Sequence, residues 1–411
     1  MKVKKLNLEK SNTLFSKAKK DHPGGVLGIR RPYNFVEGEY PIYFFDGKGV
    51  RVKDVDGNEY IDMLCSYGPI IIGHRETEID NKVINQIKKR GFCFSLTQPI
   101  HNLISSELKK LIPSCEMSIL VKTGSDATTA AIRAARCFTK KNKILRCGYH
   151  GWHDWCVEVQ GGIPKSTLQD ILEFKYNDIG SVEKIIKENK NEVAAIITTP
   201  ISHPLGKKVE MPKKDFLKDL RDITKKHNIV LIFDEVRSGF RVDLGGAQKY
   251  FGVTPDLSTF GKAMANGYEI AALVGKSEIM KAYEKEAFVS ATYFENSLPI
   301  IAALETIKFL KKNNVIKNIN KKGLYFKEKV EKIFNNYREI CEFSGGPWMP
   351  HITFKKDSEN KYKIRRKKFF TNLIRRGVFA QPYHHSYIAY RHSMKDLNFV
   401  ADAIEDSIKD L

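Results

Sequence analysis

Ile229-Val-Leu-Ile-Phe233 runs into Asp234-Glu235-Val236, and Leu257-Ser-Thr-Phe260 runs into Gly261-Lys262-Ala263. The first apolar run reads as a buried strand of a parallel sheet, with Asp234 at its end. The second reads as another strand, reached by a crossover, with Lys262 just beyond it. In open α/β sheets ligands sit outside the carboxyl ends of strands, so both side chains point to one site. A lysine amine can form an imine with an aldehyde, and a carboxylate can keep a heterocyclic nitrogen protonated. Gly261 lets the backbone pass close to a flat ligand. The chain has 69 Lys and Arg, so one lysine alone identifies nothing. An aspartate after a strand also caps helices. The pairing carries the argument.

Around these runs, strand-like and helix-like segments alternate. Ser118–Lys122, Lys143–Cys147, Val193–Thr198 and Ala271–Val274 read as strands. Ala127–Phe138 and Lys213–His227 read as helices, residues 75–112 as largely helical, and Leu298 to about Asn335 as one long helical stretch. The alternation predicts an α/β fold with a mostly parallel central sheet and helices on both faces. The chain ends differ. Residues 11–22 form a short amphipathic helix, and 43–60 read as a hairpin turning at Asp56-Gly57-Asn58. Residues 340–411 alternate on a smaller scale, through Ile340–Ser344, His351–Phe354 and Gly377–Ala380. The expected organisation is a large domain over 71–310 and a small α/β domain built from 1–70 and 311–411.

Composition bounds the function. Of 411 residues, 42% are hydrophobic, which excludes wholesale disorder. No apolar run is long enough to span a bilayer, so no membrane is expected. The N-terminus is Lys-rich without an apolar signal core, and Glu9 and Asp21 interrupt a transit pattern. Seven scattered cysteines without a CxxC pair argue for reduced thiols in the cytoplasm and against zinc; no metal is expected. The net charge of +21 permits binding to anions. The lysines are spread along the chain and no nucleic-acid-binding motif occurs, so no nucleic-acid partner is expected. The densest basic region, Arg365-Arg-Lys-Lys368 with Arg391, reads as a solvated helix face or an anion-binding patch.

Two further blocks complete the pattern. Thr123-Gly124-Ser125-Asp126-Ala127 follows a strand and opens a helix, where backbone N–H groups suit a phosphate. It also reads as an ordinary capped helix. Tyr149-His-Gly-Trp-His-Asp154 places an aromatic ring after a strand, able to stack on a flat ligand. No acidic or thiol ligand set accompanies His150 and His153, which read as structural.

Pro23-Gly-Gly-Val26, Asp54-Val-Asp-Gly-Asn-Glu-Tyr-Ile-Asp62, Gly68-Pro69, Gly73-His74, Thr123-Gly-Ser-Asp-Ala127, Tyr149-His-Gly151, Asp234-Glu-Val-Arg-Ser-Gly-Phe-Arg241 and Pro255-Asp-Leu-Ser-Thr-Phe-Gly-Lys262 occur in this order. In combination they resemble the class III, fold-type I aminotransferases that use pyridoxal 5′-phosphate (PLP), and within that class glutamate-1-semialdehyde aminomutase. The likeness spans roughly residues 12–410. It implies that Lys262 is the Schiff-base lysine and proton shuttle, and that Asp234 pairs with the ring nitrogen. Tyr149 and Val236 would cover opposite ring faces, and Gly124 and Ser125 would bind the phosphate. Thr292 matches a threonine that reaches the phosphate of a partner subunit, which implies a homodimer. Arg31 matches an arginine gripping a substrate carboxylate; adjacent Arg30 leaves that match ambiguous by one position.

The sequence also departs from the pattern. Thr199-Pro200 stands where the family has Glu-Pro, and Ile201-Ser-His-Pro204 lacks the aminomutase's Gly-Asn pair. His203 would then contact the cofactor's phenolic oxygen or simply pack the loop. Tyr383-His-His-Ser386 has no acid where the aminomutase has one, and Gly161-Gly162 matches its gating loop only loosely. Tyr67, Trp152, His384 and Arg391 are further pocket candidates, with ordinary packing as the alternative. The expected activity is an aminotransferase moving an amino group from a small-molecule donor to a carbonyl acceptor. The alternatives are an intramolecular aminomutase and a PLP-dependent ammonia-lyase.

Overall fold

The computed structural model describes residues 3–26 and 32–411. Arg30 and Arg31 lie outside the described residues. The chain forms two compact units. One comprises residues 1–76, 204–209 and 317–411; the other comprises 77–203 and 210–316.

In the first unit, β1 (Phe44–Lys48), β2 (Arg51–Asp54) and β3 (Glu59–Asp62) form an antiparallel meander. The turn between β2 and β3 is fixed by Asp54, which accepts hydrogen bonds from the N–H groups of Asp56 and Asn58 and from the Tyr60 hydroxyl.

The second unit holds β4 (Met117–Val121), β5 (Lys143–Cys147), β6 (Ile171–Glu173), β7 (Val193–Thr198), β8 (Val230–Asp234), β9 (Leu257–Phe260) and β10 (Ala271–Gly275). They form a seven-stranded sheet in the order β4-β10-β9-β8-β7-β5-β6. Every neighbouring pair is parallel except those made by β10, which runs antiparallel to β4 and β9. All residues of β7 and β8 are buried, as expected of strands covered on both faces.

The period of two divides the strands between two cores. Ile144, Ala195, Ile197, Val230 and Ile232 face one side, against Ala131, Ala134 and Ala135 of the helix Gly124–Thr139. Leu145, Ile196, Leu231 and Phe233 face the other, against Val182, Ile186, Phe216 and Leu220 of two more helices. Small alanines let the first helix lie close to the sheet. Truncating Ile232 to Ala would cost about 2–5 kcal/mol.

In the first unit, β11 (Cys341–Ser344) pairs with β12 (His351–Phe354), and β13 (Val378–Phe379) adds to β3 in parallel.

Three details differ from the sequence reading. Residues 75–112 form two helices, Thr77–Arg90 and Pro99–Leu111, because Gly91 takes φ +71° and Pro99 opens the second. The stretch after Leu298 is likewise broken at Asn314, with φ 48°, into Leu298–Lys312 and Val315–Phe334. The edge strand β6, three residues long, was too short to show a period.

Candidate active site

The site lies in the second unit, at the C-terminal ends of parallel strands. Asp234 is the last residue of β8 and is 5% exposed. The register of β8 and β9 pairs Asp234 with Thr259. Oδ1 of Asp234 accepts hydrogen bonds from the Thr259 hydroxyl at 3.2 Å and the Val236 N–H at 3.1 Å. Its Oδ2 lies 2.8 Å from Nδ1 of His150. The other ring nitrogen, Nε2, faces the Cys147 carbonyl at 3.1 Å. Acceptor oxygens therefore face both ring nitrogens of His150. Trp155 stacks parallel to the ring, with centroids 6.3 Å apart.

Burial alone would raise the carboxyl pKa of Asp234. The hydrogen bond and charge of His150, the Val236 N–H and the charge of Lys262 outweigh it and hold the acid below its usual range. Asp234 is therefore a buried, ionised carboxylate. Each carboxylate oxygen can accept twice, so Oδ2 retains room for one more donor.

Lys262 follows β9 and is half-buried. It adopts φ 43°, a left-handed conformation that costs an ordinary residue energy and clusters at functional sites. Gly261 before it is extended, at φ 176°, and the Met264 N–H closes a turn on the Gly261 carbonyl at 3.0 Å. Lys262 thus leaves the sheet on a tight turn, with its charge felt at Asp234.

The helix Gly124–Thr139 begins with a reciprocal cap. Asp126 N–H donates to the Thr123 hydroxyl, and Thr123 N–H donates to the Asp126 carboxylate. Among the described residues, the N–H groups of Gly124 and Ser125 have no protein acceptor. Two orphan donors at a helix N-terminus fit a phosphate. A Cβ on Gly124 would sit 2.8 Å from Cγ1 of Val236, so a bare backbone is required there.

The loop after β5 is stitched to this first turn. The Thr128 hydroxyl donates to the His150 carbonyl at 2.7 Å, and Trp152 N–H donates to the Ser125 hydroxyl at 3.2 Å. Gly151 has φ +127°, and a Cβ there would lie 2.4 Å from Oγ of Ser125. Half-buried Tyr149 has the Arg237 guanidinium 5.6 Å from its ring centroid. Arg237 in turn donates to the carbonyl of buried His203 at 3.1 Å.

Next to Asp234, Glu235 is fully buried. It accepts from the Ser238 hydroxyl and from the N–H groups of Ala247 and Gln248. Burial outweighs these bonds and raises its pKa. This acid anchors the loop behind the site.

The geometry gathers Lys262, Asp234, Val236, Tyr149, Gly124, Ser125 and His203 in one unit. Trp152 joins through its backbone, while its indole is largely exposed. Thr292 lies on an exposed segment. Tyr67 belongs to the other unit, in a left-handed turn over Cys65, Ser66 and Tyr67 (φ 49°, 55° and 67°). Its ring meets His384 edge-on, with centroids 5.1 Å apart. His384 stacks on His385 at 4.2 Å, and His385 Nε2 lies 2.9 Å from the Tyr387 hydroxyl. Arg391 is held by Glu76 in a two-pronged pair, both contacts at 3.0 Å. The sequence reading missed the direct bonds of His150 and Thr259 to Asp234. Thr259 was findable, since it faces Asp234 across two adjacent strand candidates.

A buried ionised acid, a lysine on a strained turn and two helix N–H donors without a protein acceptor fit a fold-type I PLP-dependent transferase, and comparison with known proteins shows that class. The chain belongs to the class-III aminotransferases, whose family model matches residues 35–408, and it is a PLP-dependent aminotransferase. It is 58% identical to the 3-aminobutyryl-CoA aminotransferase of Cloacimonas acidaminovorans, across 100% of this chain and 99% of that one. It is 33% identical to the glutamate-1-semialdehyde 2,1-aminomutase of Archaeoglobus fulgidus, across 98% and 100% of the two chains. Among solved structures, it resembles the PLP internal aldimine form of FumI from Sphingopyxis sp. MTA144, with 26% identity, a TM-score of 0.91, and coverage of 97% and 96%.

Proposed function

We propose that this aminotransferase takes the amino group from a 3-aminoacyl-CoA thioester, with 3-aminobutyryl-CoA as the reference substrate. The observation that carries this reading is the 58% identity, over essentially both full lengths, to a protein of that name. The aminomutase of Archaeoglobus fulgidus stands at 33%. The absence of an acid in Tyr383-His-His-Ser386 also favours intermolecular transfer over the aminomutase reaction.

PLP, when bound, supplies a carbonyl for the amino group and a ring that accepts electron density. The protein's part follows from its charges. Asp234, kept ionised chiefly by His150, would hold the ring nitrogen's proton. Gly124 and Ser125 receive the phosphate through their N–H groups. Tyr149 and Val236 would cover the flat ring, and His203 would contact its phenolic oxygen. Nζ of Lys262 would hold the cofactor and would take the proton from the substrate carbon bearing nitrogen. Tyr67, Trp152 and Arg31 are assigned to the substrate.

A homodimer is part of the proposal, with Thr292 reaching the partner's phosphate. Ser297 N–H donates to the Phe92 carbonyl and the Gln98 amide to the Glu295 carbonyl, joining two segments that expose Leu96 (80%) and Phe288 (75%). Exposed apolar surface of this kind suits a protein interface. All seven cysteines are free, which supports a cytoplasmic setting. Among the described residues, no helix is long and apolar enough to cross a membrane.

The test is turnover of 3-aminobutyryl-CoA against a panel of 2-oxo acids, with mass detection of 3-oxobutyryl-CoA. Stoichiometric oxo thioester and amino acid are expected. Migration of the amino group within glutamate-1-semialdehyde, with no thioester turnover, would overturn the reading.

A further inference from the structure

The sequence left the basic run at 365–368 between a solvated face and an anion site, and side-chain geometry separates its members. Arg365 is tied to Asp357, and Lys361 to Glu359. Those pairs take up both acids at that end of the helix Lys361–Arg375. Arg366 is different. Its guanidinium carbon lies 4.1 Å from the Tyr383 ring centroid, and Nη2 donates to the Tyr383 hydroxyl at 3.0 Å. It also lies 5.8 Å from the Tyr362 ring, which Lys363 Nζ approaches at the same distance. The result is a surface ladder of alternating cations and rings: Lys363, Tyr362, Arg366 and Tyr383.

A second segment borders the ladder. Gly206 N–H donates to the Tyr383 carbonyl at 2.8 Å, and a Cβ on Gly206 would sit 3.4 Å from the Tyr383 ring. Exposed Lys207 and Lys208 follow directly. Among the described residues, none of Lys207, Lys208, Lys363, Arg366 and Lys367 is in an ion pair. All belong to one unit. Tyr383 remains 37% exposed, whereas His384, one residue on, is buried against the Tyr67 ring. The chain passes here from a cationic, aromatic surface to an interior wall in one step.

Resting on the thioester reading above, we propose that this ladder seats the nucleotide end of the CoA substrate. An adenine ring stacks well on tyrosine and guanidinium planes, and phosphates are met by unpaired cations. Evenly scattered lysines would lack the interleaved rings. A plain solvated helix face would lack a tyrosine gripped both over its ring and at its hydroxyl.

The experiment titrates free CoA into the PLP-loaded enzyme by calorimetry, with 3-aminobutyryl-CoA turnover measured in parallel. Arg366→Ala should weaken CoA binding at least about tenfold and flatten its salt dependence, and KM for the thioester should rise more than kcat falls. Arg366→Lys should restore the salt dependence but only part of the affinity. Should Arg366→Ala fail to fold, the exposed double change Lys207→Glu with Lys208→Glu carries the same test. A wild-type enzyme that turns over the thioester, with variants that bind CoA as tightly, overturns this site and leaves the proposed function standing. A wild type that neither binds CoA nor turns over the thioester overturns both.

Discussion

The Asp234 centre and the histidine-rich wall around His384 are both buried and polar, yet they are built on opposite principles. Asp234 is an ion held by partners that the sheet itself delivers: Thr259 through strand register, Val236 through its own turn, and His150 through the loop after β5. The wall is built of aromatic rings. His384, His385 and Tyr387 stack and abut, and nearby His351 meets His385 edge-on with centroids 6.5 Å apart. Charge fixed by backbone geometry is the requirement of a cofactor that never changes.

The sharpest way to break this contrast is at the charged centre. Lys262→Ala should lower turnover by about 10⁴-fold or more. Multiple turnovers at a normal rate would remove Lys262 from the chemistry. Asp234→Asn should cost on the order of 10³-fold, because the amide cannot hold a protonated ring nitrogen by charge. PLP absorbance in that variant should shift while the fold, read by circular dichroism, persists.

A smaller effect separates His150 from mere packing. Its hydrogen bond and charge lower the Asp234 pKa, so His150→Phe should let that pKa rise. The acid limb of the kcat/KM profile should then move to higher pH, with about a tenfold loss at neutral pH. An unmoved limb would reduce His150 to a space-filler.

Two buried histidines, His351 beside that wall and His392 just before the C-terminal helix, should answer to pH through stability instead. Burial pushes His351 and His392 down to about 4. The unfolded chain takes up those protons near pH 6.5, whereas the folded chain refuses them until about pH 4. Stability therefore falls as pH drops through that window, by about 2 kcal/mol per histidine at pH 5. Urea midpoints at pH 7 and pH 5 measure it. His392→Gln should flatten the decline by about half, and an unchanged slope would refute the assignment.

The same contrast explains what could be read from the sequence. Asp234 and Lys262 were legible because each ends a run of apolar strand residues, and a strand end is a geometric address. The capped helix at Thr123 was legible for the same reason. His150 was legible as a residue but not as a partner, since its target is 84 positions away and only the fold joins them. The wall around Tyr67 gave still less, because packed rings follow no period. The left-handed turn at 65–67 has no sequence signature at all. It contains no glycine and is imposed by its surroundings: Asp62 accepts from the N–H groups of Leu64 and Cys65, and Gly68 is pressed against Tyr387, where a Cβ would lie 2.7 Å from the ring.

That reversed winding makes Ser66 an unusual engineering position. Its side chain is exposed, yet its backbone carries a penalty of roughly 1–2 kcal/mol that glycine would not incur. Ser66→Gly should therefore toughen the protein against heat, where most glycine replacements soften it. The residues on either side, buried Cys65 and half-buried Tyr67, would keep the aim of the loop, so the gain would come without redirecting the phenol.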